Sequence, residues 1–221
     1  MLNQLSESTE MYLKAMAELG AEDVVAVGRL AGRLGVTNVS ANEMVHRLTE
    51  SGLVSHMPYK GVALTETGKT AACSVLRRQR LWECFLYQHL HIEWAKLYEL
   101  ACALEHATAP EVTEALSTFL GDPKFCPRGN PIPSADGLIT PLKGILLRDA
   151  PVGATVRVIA INATKTDALT YLQTRGILPG CELTILEAEP MEGPLTLRVG
   201  DKDVALGLLL SEFVIVEVKE P

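Results

Sequence analysis

The sequence predicts a multidomain protein of α plus small β class, with an N-terminal winged helix-turn-helix, an all-helical middle domain and a small C-terminal β-barrel. Three observations predict it. Three helical patterns and a short hairpin pattern come first, residues 66–121 are helical with large apolar faces, and five short strand patterns follow from residue 155 onward. The resulting domains are 1–73, 74–140 and 151–221, with 141–150 as a linker.

The composition is that of a globular protein, with 48% hydrophobic and 21% charged residues. No apolar run approaches the roughly 20 residues needed to span a membrane, and the polar, acidic start argues against a secretory signal. The five cysteines are scattered without a C-x-x-C pair, which indicates a reducing, cytoplasmic location. The net charge of -7 argues against indiscriminate nucleic-acid binding but permits a local basic surface.

The N-terminal domain opens with a helix at 6–20, whose apolar stripe lies at helical spacing. This stripe consists of Tyr12, Ala15, Met16 and Leu19. Met11 lies just beside the stripe, so we expect it to point toward a neighbouring helix and away from the centre of the core.

Two more helices, at 24–34 and 39–51, flank a break at Gly35–Asn38. Strand patterns at 53–56 and 62–65 then surround a turn. This order of helix, helix, turn, helix and hairpin is typical of a winged helix-turn-helix.

In such a module the third helix enters the DNA major groove with its N-terminal residues foremost. The candidate base-reading residues are polar and cluster there: Thr37, Asn38, Ser40, Asn42, Glu43 and Arg47. Arg29, Arg33, Arg47 and Lys60 are candidate phosphate contacts, which set affinity but not sequence preference. The alternative is that these residues form an ordinary solvated helix face.

The middle domain contains a run without Gly or Pro, 94–107, that predicts a helix. Cys102, Glu105 and His106 stand there at i, i+3 and i+4, so their side chains share one face. A thiol, a carboxylate and an imidazole together form half of a transition-metal site. The alternative is a buried cysteine beside a surface Glu-His pair. The apolar faces of this domain predict burial against a second copy of the chain.

Several motifs together resemble the iron- and manganese-dependent repressors of the diphtheria-toxin-repressor family, and the resemblance covers essentially the whole chain. The motifs are Thr9–Leu13, Val45–Val54, Leu64–Gly68, Glu105–His106, Gly129–Pro133 and Leu172–Gly180. The last region resembles the SH3-like barrel of the ferrous-transport accessory (FeoA-type) proteins.

This resemblance implies a homodimer that binds double-stranded operator DNA when a divalent metal is bound, with no small-molecule substrate and no membrane partner. The family's principal metal site falls on Met11, Cys102, Glu105 and His106. Thioether and thiolate donors favour Fe(II) over Mn(II), so we expect Fe(II), with Co(II), Ni(II), Zn(II) or Mn(II) as surrogates.

The sequence departs from the family at a second, ancillary metal site. Gln79 and Tyr98 stand where the family has histidines, Glu83 is kept, and the barrel positions fall on or near Lys165 and Ala168. We expect that this site binds no metal and that Gln79, Glu83, Tyr98 and Lys165 form a metal-free polar bridge.

Cys126 has two candidate roles under the resemblance. It is an additional candidate ligand of the principal site, or it belongs to a segment that holds an anion together with Arg80 and Asn130. The remaining cysteines are interpreted as structural.

Two alternatives keep the DNA-binding fold but change the signal, to Mn(II) or to thiol redox or another ligand. A third alternative is a hydrolytic metal centre. It is disfavoured, because a Met ligand and the lack of an evident cleft with a general base suit metal hydrolysis poorly. We therefore predict that the chain is not an enzyme.

Overall fold

The computed structural model describes residues 5–20, 24–57 and 59–219, which divide into two compact units. The first unit comprises the chain up to Arg78 together with Pro133–Ile139. The second comprises Gln79–Ile132 and the chain from Thr140 onward. None of the helices within these described ranges is long and apolar enough to cross a membrane.

The first unit contains the expected winged helix-turn-helix. Its elements are α1 (Glu7–Gly20), α2 (Val27–Leu34), α3 (Asn38–Glu50), β1 (Val54–Met57), β2 (Gly61–Leu64) and the start of α4 (Glu66–Gln88). Strands β1 and β2 pair in antiparallel fashion, from Val54 opposite Leu64 to Met57 opposite Gly61. Leu13, Leu30 and Leu48 lie at the centre of the core, with at most 2% of their surface exposed.

Helix α4 starts directly against the base of the wing. The Thr65 hydroxyl donates to the carbonyl oxygens of Gly52 (2.8 Å) and Leu53 (3.1 Å), and it accepts the backbone N–H of Gly68 at 3.1 Å. Thr65 therefore caps the helix and ties it to the wing. Gly68 is needed because an ideal Cβ at this position would lie 2.0 Å from the Leu53 carbonyl oxygen.

The second unit joins three helices to a small antiparallel sheet. The helical part contains the rest of α4, a 3-10 turn at Trp94–Lys96, α5 (Leu97–Glu105) and α6 (Pro110–Phe119). The barrel part contains β3 (Ile145–Leu146), β4 (Thr155–Ile161), α7 (Thr166–Thr174), β5 (Glu182–Ala188), β6 (Leu195–Val199), β7 (Lys202–Leu206), α8 (Leu208–Ser211) and β8 (Val214–Val218). The strand order is β3-β8-β4-β5-β6-β7.

The segment 141–150, predicted as a linker, is in part structural. It contributes β3, which pairs with β8, and a 3-10 turn whose Leu147 is completely buried. A two-residue strand is too short to show alternation, so the sequence pattern could not reveal it.

One hydrophobic core runs through the barrel and the helix that carries the metal candidates. Trp94, Leu97 and Ala101 belong to the same buried cluster as Leu169 of α7 and Val214 of β8. One face of α5 is therefore fixed against the barrel, at a burial that contributes about 1.5–3 kcal/mol for each large apolar side chain.

Alanine substitution at two glycines inside helices should shift the midpoint of thermal unfolding in opposite directions. Gly68→Ala should lower the midpoint of thermal unfolding, because its methyl group overlaps the Leu53 carbonyl. Gly32→Ala should raise that midpoint, because nothing lies within 4 Å of its Cβ position and alanine gains about 1 kcal/mol in a helix. Thermal unfolding followed by circular dichroism measures both changes. A stabilising Gly68→Ala would contradict the described junction.

Candidate metal centre and nucleic-acid interface

The predicted trio converges at the end of α5. One ligand atom each from Cys102, Glu105 and His106 lies within 4.8 Å of the others, and this is the one such cluster of three or more metal-binding side chains within the described ranges. The Cys102 sulfur is 3.8 Å and the His106 Nε2 is 3.5 Å from Oε1 of Glu105. Glu105 is completely buried, whereas the other two are half-buried. The cluster thus consists of a buried carboxylate with a more exposed thiol and imidazole beside it.

The local sequence explains this arrangement. Helix α5 ends at Glu105, and His106 follows as its C-cap with near-helical backbone angles (φ -69°, ψ -28°). The helical register is thus kept through His106, so the i, i+3 and i+4 side chains stay on one face.

The donor set fits a divalent transition metal. Sulfur, carboxylate oxygen and imidazole nitrogen are the ligand types that such ions prefer, and burying a carboxylate is unfavourable unless positive charge is close. Cys102, Glu105 and His106 are the residues that would hold the ion. Met11, the fourth candidate, lies half-buried on α1, in the first unit.

The structure separates Cys126 from this trio. Its side chain is 4% exposed and belongs to a cluster with Leu81, Cys84 and Leu116. Burial, followed by the nearby negative charge of Glu83, raises the pKa of the Cys126 thiol far above its usual range. Burial likewise raises the pKa of Cys84 to about 12. Cys126 is therefore packed in this core cluster and is not among the three side chains that converge at the end of α5, and its role as a ligand stays a prediction.

The other candidate role of Cys126, within an anion site with Arg80 and Asn130, stays a prediction. An Arg80 guanidinium N–H donates to the Pro131 carbonyl, and the Asn130 side-chain amide donates to the Ile161 carbonyl at 3.1 Å. Both side chains are buried, and these hydrogen bonds are to backbone carbonyl oxygens. The buried Nε of Arg80 forms no hydrogen bond within the described structure.

A polar bridge is present at the ancillary position, but Arg128 takes the place predicted for Gln79 and Lys165. Glu83 is completely buried and bonded to Arg128, with Nη2 to Oε1 at 2.8 Å, and the same guanidinium lies 4.7 Å from the centre of the Tyr98 ring. Gln79 is buried, but its side-chain amide forms no hydrogen bond with the protein. Lys165 is exposed at the N-cap of α7. Arg128, and not Lys165, supplies the positive charge.

Arg128 is the residue that sequence reasoning missed. It stands in the Pro- and Gly-rich segment 126–133, which has no helical or strand periodicity. Its partner, Glu83, is 45 residues away. A lone basic residue in such a segment gives only a weak signal, because short-range patterns carry no information on long-range pairs.

The candidate DNA-reading residues lie mostly on the open face of α3. Asn38, Ser40, Asn42, Glu43 and Arg47 are exposed. A shallow groove is lined by Asn42, Glu43, His46 and Arg47. Thr37 has a structural part as well, because its hydroxyl accepts the backbone N–H of Ser40 at 3.2 Å and caps the helix.

The candidate phosphate contacts divide into two groups. Arg29, Arg47 and Lys60 are exposed, the last at the tip of the wing. Arg33 instead forms an ion pair with Glu18 at 2.7 Å, with side chains 9% and 6% exposed. Arg33 therefore connects α2 to α1, and its side chain is too buried for the predicted phosphate contact.

Iodoacetamide should distinguish the cysteines of the metal-free, native protein at neutral pH. Cys102 should be modified, whereas Cys84 and Cys126 should remain unmodified, because their raised pKa values keep them as neutral, buried thiols and the thiolate is the nucleophile. Peptide mass spectrometry over a time course measures each rate, with urea-unfolded protein as the control. Modification of Cys126 as fast as Cys102 would contradict the described burial.

Comparison with known protein families agrees with this organisation. The N-terminal DNA-binding domain of iron-dependent repressors matches residues 4–62, their metal-binding and dimerisation domain matches 65–134, and the FeoA domain matches 145–218. The resemblance inferred from sequence motifs and the predicted fold class are both confirmed.

Individual relatives extend over nearly the whole chain. The diphtheria toxin repressor of Corynebacterium diphtheriae is 33% identical, with 93% of this chain and 94% of that protein covered. The iron-dependent repressor IdeR of Mycobacterium bovis is 30% identical, with the same coverage. A solved manganese-dependent transcriptional repressor in complex with manganese has a TM-score of 0.85 at 30% identity, covering 96% of this chain and 100% of that one. The chain therefore belongs to the diphtheria-toxin-repressor family of metal-dependent transcriptional repressors.

Proposed function

We propose that this chain is an Fe(II)-activated repressor that binds operator DNA as a homodimer in the cytoplasm. The observation that supports this most strongly is the convergence of Cys102, Glu105 and His106 within 4.8 Å at the end of α5. Sequence spacing predicted that cluster, and the fold keeps it together.

The choice of Fe(II) rests on the sulfur donor. A thiolate suits Fe(II) better than Mn(II), which prefers oxygen ligands. Relatives of this chain include both iron- and manganese-dependent repressors. The Cys102 thiol is therefore the feature that distinguishes the two signals, and Met11, nominated by family resemblance, would add a second sulfur donor.

The protein's own contribution is to hold the trio at a fixed place. Leu97 and Ala101 anchor α5 in the core shared with the barrel. A bound divalent ion supplies positive charge beside the buried Glu105. Because α5 is fixed in this core, we expect metal binding at the trio to act on a rigid helix and not merely to rearrange the side chains locally.

DNA reading is proposed for the exposed start of α3. Asn38, Asn42 and Arg47 carry the amide and guanidinium groups that recognise base edges, and Arg29 and Lys60 lie exposed for phosphate contact. Glu43 adds an acceptor that suits the amino group of cytosine.

The dimer surface is proposed on the aromatic cluster formed by Phe85, His89 and Phe119. His89 and Phe119 have ring centroids 4.9 Å apart, Phe85 lies 6.0 Å from Phe119, and Phe119 is 63% exposed. Exposed aromatic clusters mark interaction surfaces. This one lies within the region matched by the metal-binding and dimerisation domain, which favours a second copy of the chain as its partner.

Cys102→Ala should abolish metal-dependent DNA binding. A duplex selected from a random library with the Co(II)-loaded protein serves as the probe, and fluorescence anisotropy measures binding under anaerobic conditions. The wild-type protein should bind with Fe(II) or Co(II) at lower concentrations than with Mn(II), because sulfur favours the softer ions. Cys102→Ala should lose the sulfur-to-cobalt charge-transfer absorption and at least tenfold in DNA affinity.

Cys126→Ala is the matched control, because it removes a buried thiol outside the trio and should keep both signals. Equal DNA affinity with and without metal would contradict the proposal. Release of DNA on mild oxidation at constant metal would favour a thiol-redox regulator instead.

Phe119→Glu should convert the dimer to a monomer, because it places a charge in the proposed apolar interface. Sedimentation velocity of the metal-loaded protein measures this change. Leu209→Glu is the control, because Leu209 is even more exposed, at 72%, but lies on α8 of the barrel. A Phe119→Glu variant that remains dimeric would remove this surface from the proposal.

A further inference from the structure

We propose that the guanidinium of Arg128 is a resident cation, meaning a positive charge that the chain itself supplies permanently. It keeps the C-terminal barrel docked on the helical part of the second unit whether or not metal is bound. This inference adds to the proposed function, and it rests on that function only for the existence of a metal signal. Docking itself is a property of the metal-free chain.

The first part of the evidence is a buried ion pair. The side chains of Arg128 and Glu83 are 2% and 0% exposed. Nη2 of Arg128 donates to one Glu83 oxygen at 2.8 Å, and Nε lies 3.2 Å from both oxygens. This two-pronged geometry uses the planar guanidinium in the way that favours carboxylate recognition.

The remaining face of the guanidinium reaches the barrel. Nη1 donates to the carbonyl oxygens of Ile161 and Ala163, each at 3.2 Å, at the end of β4. The Tyr98 ring of α5 lies against the same group, which gives a cation–π contact. A single side chain thus joins α4, α5 and the barrel.

The backbone next to Arg128 is attached to the same strand. The Ile161 N–H donates to the Arg128 carbonyl at 2.9 Å, and the Asn130 amide donates back to the Ile161 carbonyl. Gly129 has φ +80°, and an ideal Cβ there would lie 2.0 Å from the Ile159 carbonyl oxygen. This close approach excludes any larger residue, so the segment is built to lie on β4.

The chemistry of this position is that of a cation site. One carboxylate, two carbonyl oxygens and an aromatic face surround the guanidinium, and Glu83 is the one acidic group of the ancillary set that this sequence keeps. A divalent ion could bind Glu83 only by displacing Arg128 and leaving a buried charge without its partner, which is strongly unfavourable. Arg128 therefore excludes a divalent ion from this position and itself supplies the positive charge beside Glu83.

The wild-type protein provides the first test, in the absence of DNA, first without metal and then with added Zn(II). Nuclear magnetic resonance of the metal-free chain should show a slowly exchanging Arg128 Nε–H with nuclear Overhauser contacts to the Tyr98 ring, identified by their absence in Arg128→Lys. Addition of Zn(II) should leave these contacts unchanged and bind one equivalent per chain by native mass spectrometry. Contacts that form only after metal addition, or a second equivalent that removes them, would overturn the proposal.

Chemical rescue provides the second test. Arg128→Ala should lower the thermal unfolding midpoint of the metal-free chain, and millimolar guanidinium chloride should restore it relative to sodium chloride at equal ionic strength. Arg175→Ala is the control, because Arg175 also stacks on a tyrosine, Tyr171, with its guanidinium 3.4 Å from the ring centre, and it should not be rescued. An unchanged midpoint in Arg128→Ala, or equal rescue of both variants, would count against a resident cation.

Should Arg128→Ala fail to fold, the resonance measurement on the wild-type chain still decides the question. A chain that binds no operator DNA but keeps the Arg128 contacts without metal would contradict the proposed function and leave this inference intact.

Discussion

The buried carboxylate of Glu83 is stabilised inside the second unit by the guanidinium of Arg128 that lies against it. Removing a carboxylate from water costs several kcal/mol, and only good geometry with further hydrogen bonds offsets that cost. Arg128 meets both conditions, with two prongs on Glu83 and its other donors on the barrel. The tight turn at Gly129 lies directly against β4 and places this side chain between Glu83 and the barrel.

A second carboxylate in the same unit has a different environment. Glu105 is as buried as Glu83, but its neighbours are the Cys102 thiol and the His106 imidazole. A guanidinium is a fixed charge, whereas a thiol and an imidazole change protonation and bind metals. The unit therefore has one carboxylate neutralised by its own chain and another beside groups that respond to metal. Structural support and the proposed metal response thus fall on different carboxylates.

The sequence predicts local structure correctly where short-range residue patterns determine it. The i, i+3, i+4 spacing of Cys102, Glu105 and His106 was enough to predict a shared helix face, and the turn around 57–61 was enough to predict the wing. It was uninformative where one side chain selects a distant partner. Arg33 resembled a phosphate contact but pairs with Glu18 across two helices, and Arg128 gave no signal in an aperiodic segment. Both are decided by which charges the tertiary fold brings together.

The Glu83–Arg128 pair also bears on which cysteine is available to a metal. Cys126 lies close to this pair, and burial together with the negative charge of Glu83 raises the pKa of its thiol more than Arg128 and Arg80 lower it. A second negative charge is therefore disfavoured there, and Cys126 stays a neutral core residue. Cys102 lies at the half-buried end of α5, with its sulfur 3.8 Å from the buried carboxylate of Glu105. Two cysteines of the same domain thus differ in exposure, because Cys126 is enclosed in the core whereas Cys102 is half-buried beside Glu105 and His106.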